Sequence, residues 1–133
     1  MTRLATFAFA MMLAHAAGGQ STAPRAVSTV AGTWRGTSTC LVRPSACNDE
    51  IVVYRIARTT APDSLTLDAR KVVRGTEEEM GVLTCRFTPP TGPLTCVMPQ
   101  GTWEFRVHGD SLVGGLRLRD NRQFRDVRTI RSH

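Results

Sequence analysis

Beyond its first residues the chain has no apolar run long enough to cross a bilayer as a helix. It has no glycine-rich phosphate loop and no cluster of metal ligands. The four cysteines, Cys40, Cys47, Cys85 and Cys96, lack the close spacing of a zinc site. Histidine is scarce: His15 lies in the first apolar stretch, His108 at a turn and His133 at the last position. Nucleophilic catalysis needs a base held against its nucleophile, and only His108 with Asp110 or Ser111 offers one locally. All three read as a solvated hairpin tip. Glu77, Glu78 and Glu79 follow a glycine turn and read as a charged rim rather than an acid–base pair. The chain is therefore expected to be non-catalytic, with no metal and no cofactor. Lysine is nearly absent too. All basic residues but Lys71 are arginine, and the net charge of +6 favours anionic surfaces. Contact with an anionic envelope surface is a minor reading, and nucleic acid is not an expected partner.

What is present begins with a positive residue, Arg3, the apolar run Leu4 to Ala14, and Ala14-His15-Ala16, a small-x-small cleavage pattern. Residues 1–16 are expected to be a secretory signal peptide, 17–30 a flexible lead-in, and 31–133 a single domain. No cysteine follows the apolar run, so a lipid anchor is not implied. Export, to the periplasm or beyond, would put the cysteines in an oxidising compartment. Local pairing, Cys40–Cys47 and Cys85–Cys96, is the expected pattern.

From Gly32 onward apolar residues alternate or run in short β-rich groups between Gly, Pro, Asp and Asn. Eight strands are predicted, at 32–40, 49–58, 64–73, 77–88, 93–98, 101–108, 111–119 and 123–131. Short connections make neighbours antiparallel. A four-residue turn at 89–92 sets Phe87 opposite Leu94 and Cys85 opposite Cys96, within reach of a disulfide. Turns at Pro99-Gln100 and Gly109-Asp110 set Cys96 opposite Trp103, and Phe105 opposite Gly114. A three-residue turn at Arg74 to Thr76 pairs Leu67 with Leu83. These registers sort the apolar residues onto one face and Glu104, Arg106, His108, Arg117 and Arg119 onto the other, as one fold requires. In the last strand, a turn at Asp120 to Arg122 would point Phe124, Asp126, Arg128 and Ile130 inward. A meander of this kind covers its apolar face by closing, so the expected fold is all-β, an eight-stranded antiparallel up-and-down barrel.

Gly32-Thr33-Trp34 heads the first strand, and Gly101-Thr102-Trp103 repeats it without any further likeness, so no tandem duplication is read. Gly32-x-Trp34 at the start of an eight-stranded meander resembles the calycin superfamily of lipocalins, avidins and fatty-acid-binding proteins. It is also similar to the opening of bacterial metalloprotease-inhibitor barrels. The lipocalin likeness implies that Trp34 closes one barrel end beneath an arginine of the last strand. Arg128 is the expected arginine, with Arg125 its substitute if the register differs.

Binding is thus the expected role. A lumen site would use Trp34, Tyr54, Phe87, Trp103 and Phe105 as apolar walls and Arg128 as a polar anchor, for a small apolar molecule. A chain this short favours a filled interior, in which case recognition moves to the rim. There Leu41, Val42, Arg43 and Pro44, in the loop closed by Cys40–Cys47, would meet a protein partner. The protein is expected to be a monomer.

Overall fold

The computed structural model describes residues 29–88 and 92–133. The expected signal peptide, the lead-in as far as residue 28 and positions 89–91 of the turn at 89–92 lie outside the described residues. The chain forms β1 (Gly32–Cys40), β2 (Glu50–Arg58), β3 (Ser64–Val73), β4 (Thr76–Phe87), β5 (Leu94–Met98), β6 (Gly101–His108), β7 (Ser111–Leu118) and β8 (Gln123–Ser132). Each strand pairs antiparallel with the next, and β8 returns to β1, closing the barrel.

The registers follow from turn chemistry. Leu94 faces Phe105 and Cys96 faces Trp103 across the Pro99-Gln100 turn. Phe105 faces Gly114, and Val107 faces Leu112, across Gly109-Asp110. Gly109 takes a φ of 60°, a turn conformation that costs glycine little. Phe87 faces Leu94, and both expected disulfides, Cys40–Cys47 and Cys85–Cys96, are formed.

Two expectations need correction. The β3–β4 connection is a two-residue turn, Arg74-Gly75, with Val73 opposite Thr76 and positive φ angles of 50° and 80°. Such a turn matches the strand twist and holds the hairpin tightly. Leu67 still meets Leu83, because the register shifts between Ala69 and Arg70 and Met80 becomes the extra residue of a bulge. In β8, Leu116 faces Arg125, and the register then shifts so that Arg117 faces Gln123. The strand is rotated by one residue from expectation. Val127 and Thr129 are buried, while Ile130 and Arg128 point outward, the Arg128 side chain 77% exposed. The hydroxyl of Thr129 is satisfied inside by donating to the Leu112 carbonyl at 2.8 Å. This admits a polar residue to the core and releases Ile130 to the surface.

One end of the barrel is packed solid. Trp34 is fully buried and its indole N–H donates to the Val30 carbonyl at 2.9 Å. Val30, which the sequence places in the lead-in, is itself buried in the core. The Arg131 guanidinium lies 4.1 Å from the Trp34 ring centroid and donates to the carbonyls of Ala31, at 3.0 Å, and Thr29. The arginine over the tryptophan is therefore Arg131, three two-residue repeats of the pleat from Arg125 on the inward face, and not Arg128. Ile56, Leu65, Phe87, Leu94, Leu112 and Val127 fill the space above this plug.

Candidate functional site

Alternation along β1 carries the inward face from Trp34 through Gly36 to Ser38, and along β2 from Ile56 through Tyr54 to the carboxylate residue Glu50. The side chains thus become smaller or polar toward the end opposite the Trp34 plug. Packing stops there, leaving a cavity of about 250 Å³ in the upper barrel. Its walls are Leu67, Ala69 and Leu83 on one side and Met98, Trp103 and Phe105 on the other, with Met80 and Gly81 of the bulge at the rim. The rings are fixed by each other: Trp103 stacks on Phe105 with centroids 5.8 Å apart, and Tyr54 meets Phe105 edge-on at 5.7 Å. Gly114 lies under Phe105, and a Cβ there would strike the Glu104 carbonyl at 2.0 Å and the ring at 2.8 Å. Only glycine lets the β6 and β7 backbones hold that ring flat.

One sector of the cavity is polar. Arg125, with its side chain 13% exposed, donates to the Ser38 hydroxyl at 3.0 Å and stands 3.6 Å from the Glu50 carboxylate. The Tyr54 phenol stands beside Ser38 in the cavity wall and completes the group. Burial pushes the Tyr54 phenol well above the ordinary tyrosine range, more strongly than the nearby Arg125 charge lowers it; Glu50 adds to the rise. The phenol is therefore a neutral hydrogen-bonding group at any physiological pH.

Of the residues proposed from sequence for the lumen, Tyr54, Trp103 and Phe105 line the cavity together. Trp34 and Phe87 belong to the packed end, and Arg128 is outside. Sequence reasoning misses Ser38 and Glu50, although they share the inward parity of Trp34 and Tyr54, and offers Arg125 only as the substitute for Arg128. The β1–β2 loop stands at the same end as the cavity. Asp49 Oδ1 accepts from the Cys40 amide at 2.8 Å and from Arg43 at 2.5 Å, and the Ser45 hydroxyl donates to the Val42 carbonyl at 2.7 Å. Leu41, Arg43 and Pro44 are exposed on this self-bonded loop, and Val42 is half-buried.

Outside, an open furrow of about 470 Å³ crosses β6, β7 and β8 over Gly115. Its charges are already engaged: Arg106 with Glu104 at 3.5 Å, Arg128 with Asp126 at 3.0 Å, and Arg117 with the Asn121 carbonyl. His108 is exposed at its turn, and Asp110 faces Arg131 at 3.8 Å. No group of three or more metal-binding side chains occurs among the described residues. In the mouth cavity apolar walls and a buried polar group converge on free volume. No protein-family model matches the sequence, and no curated protein is significantly similar to it.

Proposed function

We propose that this is an exported, non-catalytic binding barrel of calycin-like kind that carries a small, largely apolar ligand in its mouth cavity. The observation that carries this reading is the uneven filling of the interior: a solid lower half beneath an apolar-walled space edged by Arg125, Glu50, Ser38 and Tyr54. The apolar part of the ligand lies against Leu67, Leu83, Met98 and Trp103, and its polar part faces Arg125. The two intramolecular disulfides suit an oxidising compartment outside the cytoplasm.

Native mass spectrometry of the mature protein, purified from an oxidising export compartment, tests the reading. An added mass that leaves on denaturation is expected, and it identifies the cargo. Ala69→Phe, which fills the cavity from its wall, should abolish the added mass while the barrel stays folded. A bare protein that also fails to take up any of a panel of small apolar acids, alcohols and amides would refute it. A second reading rests on the loop: its internal hydrogen bonds present Leu41, Arg43 and Pro44 rigidly beside the mouth, as a protein-binding or inhibitory element would. Replacement of Leu41 and Arg43 would then abolish partner binding, and Ala69→Phe would not.

A further inference from the structure

The barrel is closed, but the β4–β5 seam is not laddered along its length. Its ladder consists of Arg86 with Thr95 and Phe87 with Leu94, beside the Cys85–Cys96 disulfide, and stops there. Over the same distance β4 keeps its pairing to β3 all the way to Thr76. β5 ends at Met98 and turns away at Pro99-Gln100, whereas β4 continues past it to the Arg74-Gly75 tip. Among the described residues, Thr76–Val82 of β4 therefore has a ladder on one side only. A free edge is a row of unpaired backbone donors and acceptors, and folds normally blunt or cover it. Here its foot is apolar instead: Val82 is 58% exposed and Val97, across the open seam, 73%.

The side chains of this edge limit what can pair with it. Glu77, Glu78 and Glu79 are consecutive. A second copy of β4 laid antiparallel on the first about Glu78 would set three carboxylates against three carboxylates, which cross-strand pairing disfavours. On its β3 side β4 meets cations, with Arg55 2.7 Å from Glu77, Lys71 3.9 Å from Glu78 and Arg70 opposite Glu79, while Glu78 and Glu79 stay exposed. The same electrostatics favour a basic strand on the outer side. We propose that the Thr76–Val82 edge of β4 receives an extended basic segment of a partner protein by strand addition, with an apolar side chain of that segment resting on Val82 and Val97. Main-chain hydrogen bonds supply the affinity, and the alternating side chains the selectivity.

The test uses the mature, oxidised, isotope-labelled protein and two acetylated, amidated heptapeptides, one alternating lysine with valine and one alternating glutamate with valine. Saturable binding of the lysine peptide is expected, with slowed amide exchange confined to the β4 edge and its seam. The glutamate peptide should bind on the order of tenfold more weakly or not at all. Glu78→Lys with Glu79→Lys should invert that preference. Val82→Pro, counted by alternation from Arg86, removes an amide that faces the seam rather than β3 and should weaken both peptides. If the proline variant fails to fold, the charge-reversed variant decides the matter alone. Absence of lysine-peptide binding, protection located elsewhere on the barrel, an unchanged preference after charge reversal, or a dimer formed through this edge would each overturn the proposal.

Discussion

Arg131→Ala and Arg128→Ala differ by three positions on one strand and should differ greatly in cost. The Arg131 side chain is 21% exposed, over the Trp34 ring and against two backbone carbonyls. A partly desolvated cation–π contact contributes about 1 kcal/mol. Losing charge-assisted hydrogen bonds at a half-buried site adds roughly 1–2 kcal/mol. Removing Arg131 should therefore destabilise the barrel by about 2–3 kcal/mol, or roughly 10 °C in melting temperature for a domain near a hundred residues. The Arg128 side chain is 77% exposed and its pairing with Asp126 is a surface ion pair, so its removal should cost under about 0.5 kcal/mol. Denaturant unfolding of the oxidised protein, followed by tryptophan fluorescence, reads both values, and Trp34 reports on the contact itself. Equal costs, or a larger cost at Arg128, would mean that β8 sits one residue away from the register described and that Arg131 does not cap the barrel.

Tyr54 is the single tyrosine, so phenolate absorbance reports it alone. Its folded-state pKa is raised by burial, so its contribution to stability is fully present below about pH 10, the unfolded value, and is lost as pH rises beyond it. Alkaline titration should show phenolate only as the barrel unfolds, and Tyr54→Phe should flatten the alkaline end of the stability profile; a free titration near pH 10 in the folded state would contradict the burial. The disulfides close loops with sequence separations of 7 and 11, for which chain entropy gives about 2–3 kcal/mol each. Reduction should lower the melting temperature, and an unchanged melt would show that neither bond constrains the unfolded chain. Gly114→Ala should cost about 1–3 kcal/mol by forcing β6 and Phe105 away from β7, measured as a shift in the denaturation midpoint. Arg125→Met leaves Glu50 without its cation and should weaken capture of a ligand's polar group while leaving the Trp34 end intact, which ligand titration and, in a Trp103→Phe background, Trp34 fluorescence separate.

Most of the barrel was legible in the sequence because its turns are short and their residues specific. With Pro99-Gln100 and Gly109-Asp110 fixed as two-residue turns, parity alone decides which side chains of β5, β6 and β7 face inward, and all agree. The β8 error has a physical source. Arginine and apolar residues alternate there with a period of three, which gives no parity of its own, so the strand's facing rested on an assumed turn length. The bulge that absorbs Phe124 between Gln123 and Arg125 leaves no mark in composition. The same holds at Met80. The cavity was partly legible, through Tyr54, Trp103 and Phe105. Its polar sector was not, because Ser38, Glu50 and Arg125 come from three strands, and no local pattern joins residues that meet only when the barrel closes.

The two ends of this barrel divide its tasks by chemistry. Around Trp34 the polar groups are backbone carbonyls, which Arg131 and the indole N–H satisfy, and apolar packing excludes everything else. That end supplies rigidity, and the local Cys85–Cys96 bond pins the seam just above it. Around Arg125 the polar groups are side chains that satisfy one another loosely, with Glu50 at 3.6 Å rather than at contact distance. A group that can trade partners at low cost can meet a ligand without leaving a charge unpaired, whereas a fully satisfied network has nothing to exchange. Filling the upper barrel with apolar side chains would remove both the cavity and the need for Arg125 and Glu50. Nothing in the strand registers forbids that solution: Ser38 could be valine and Ala69 leucine on the pleat they occupy. A structural barrel would gain stability from the exchange. The proposed binding function accounts for small and charged residues at the inward positions of one end and large apolar ones at the other, which stability alone does not call for.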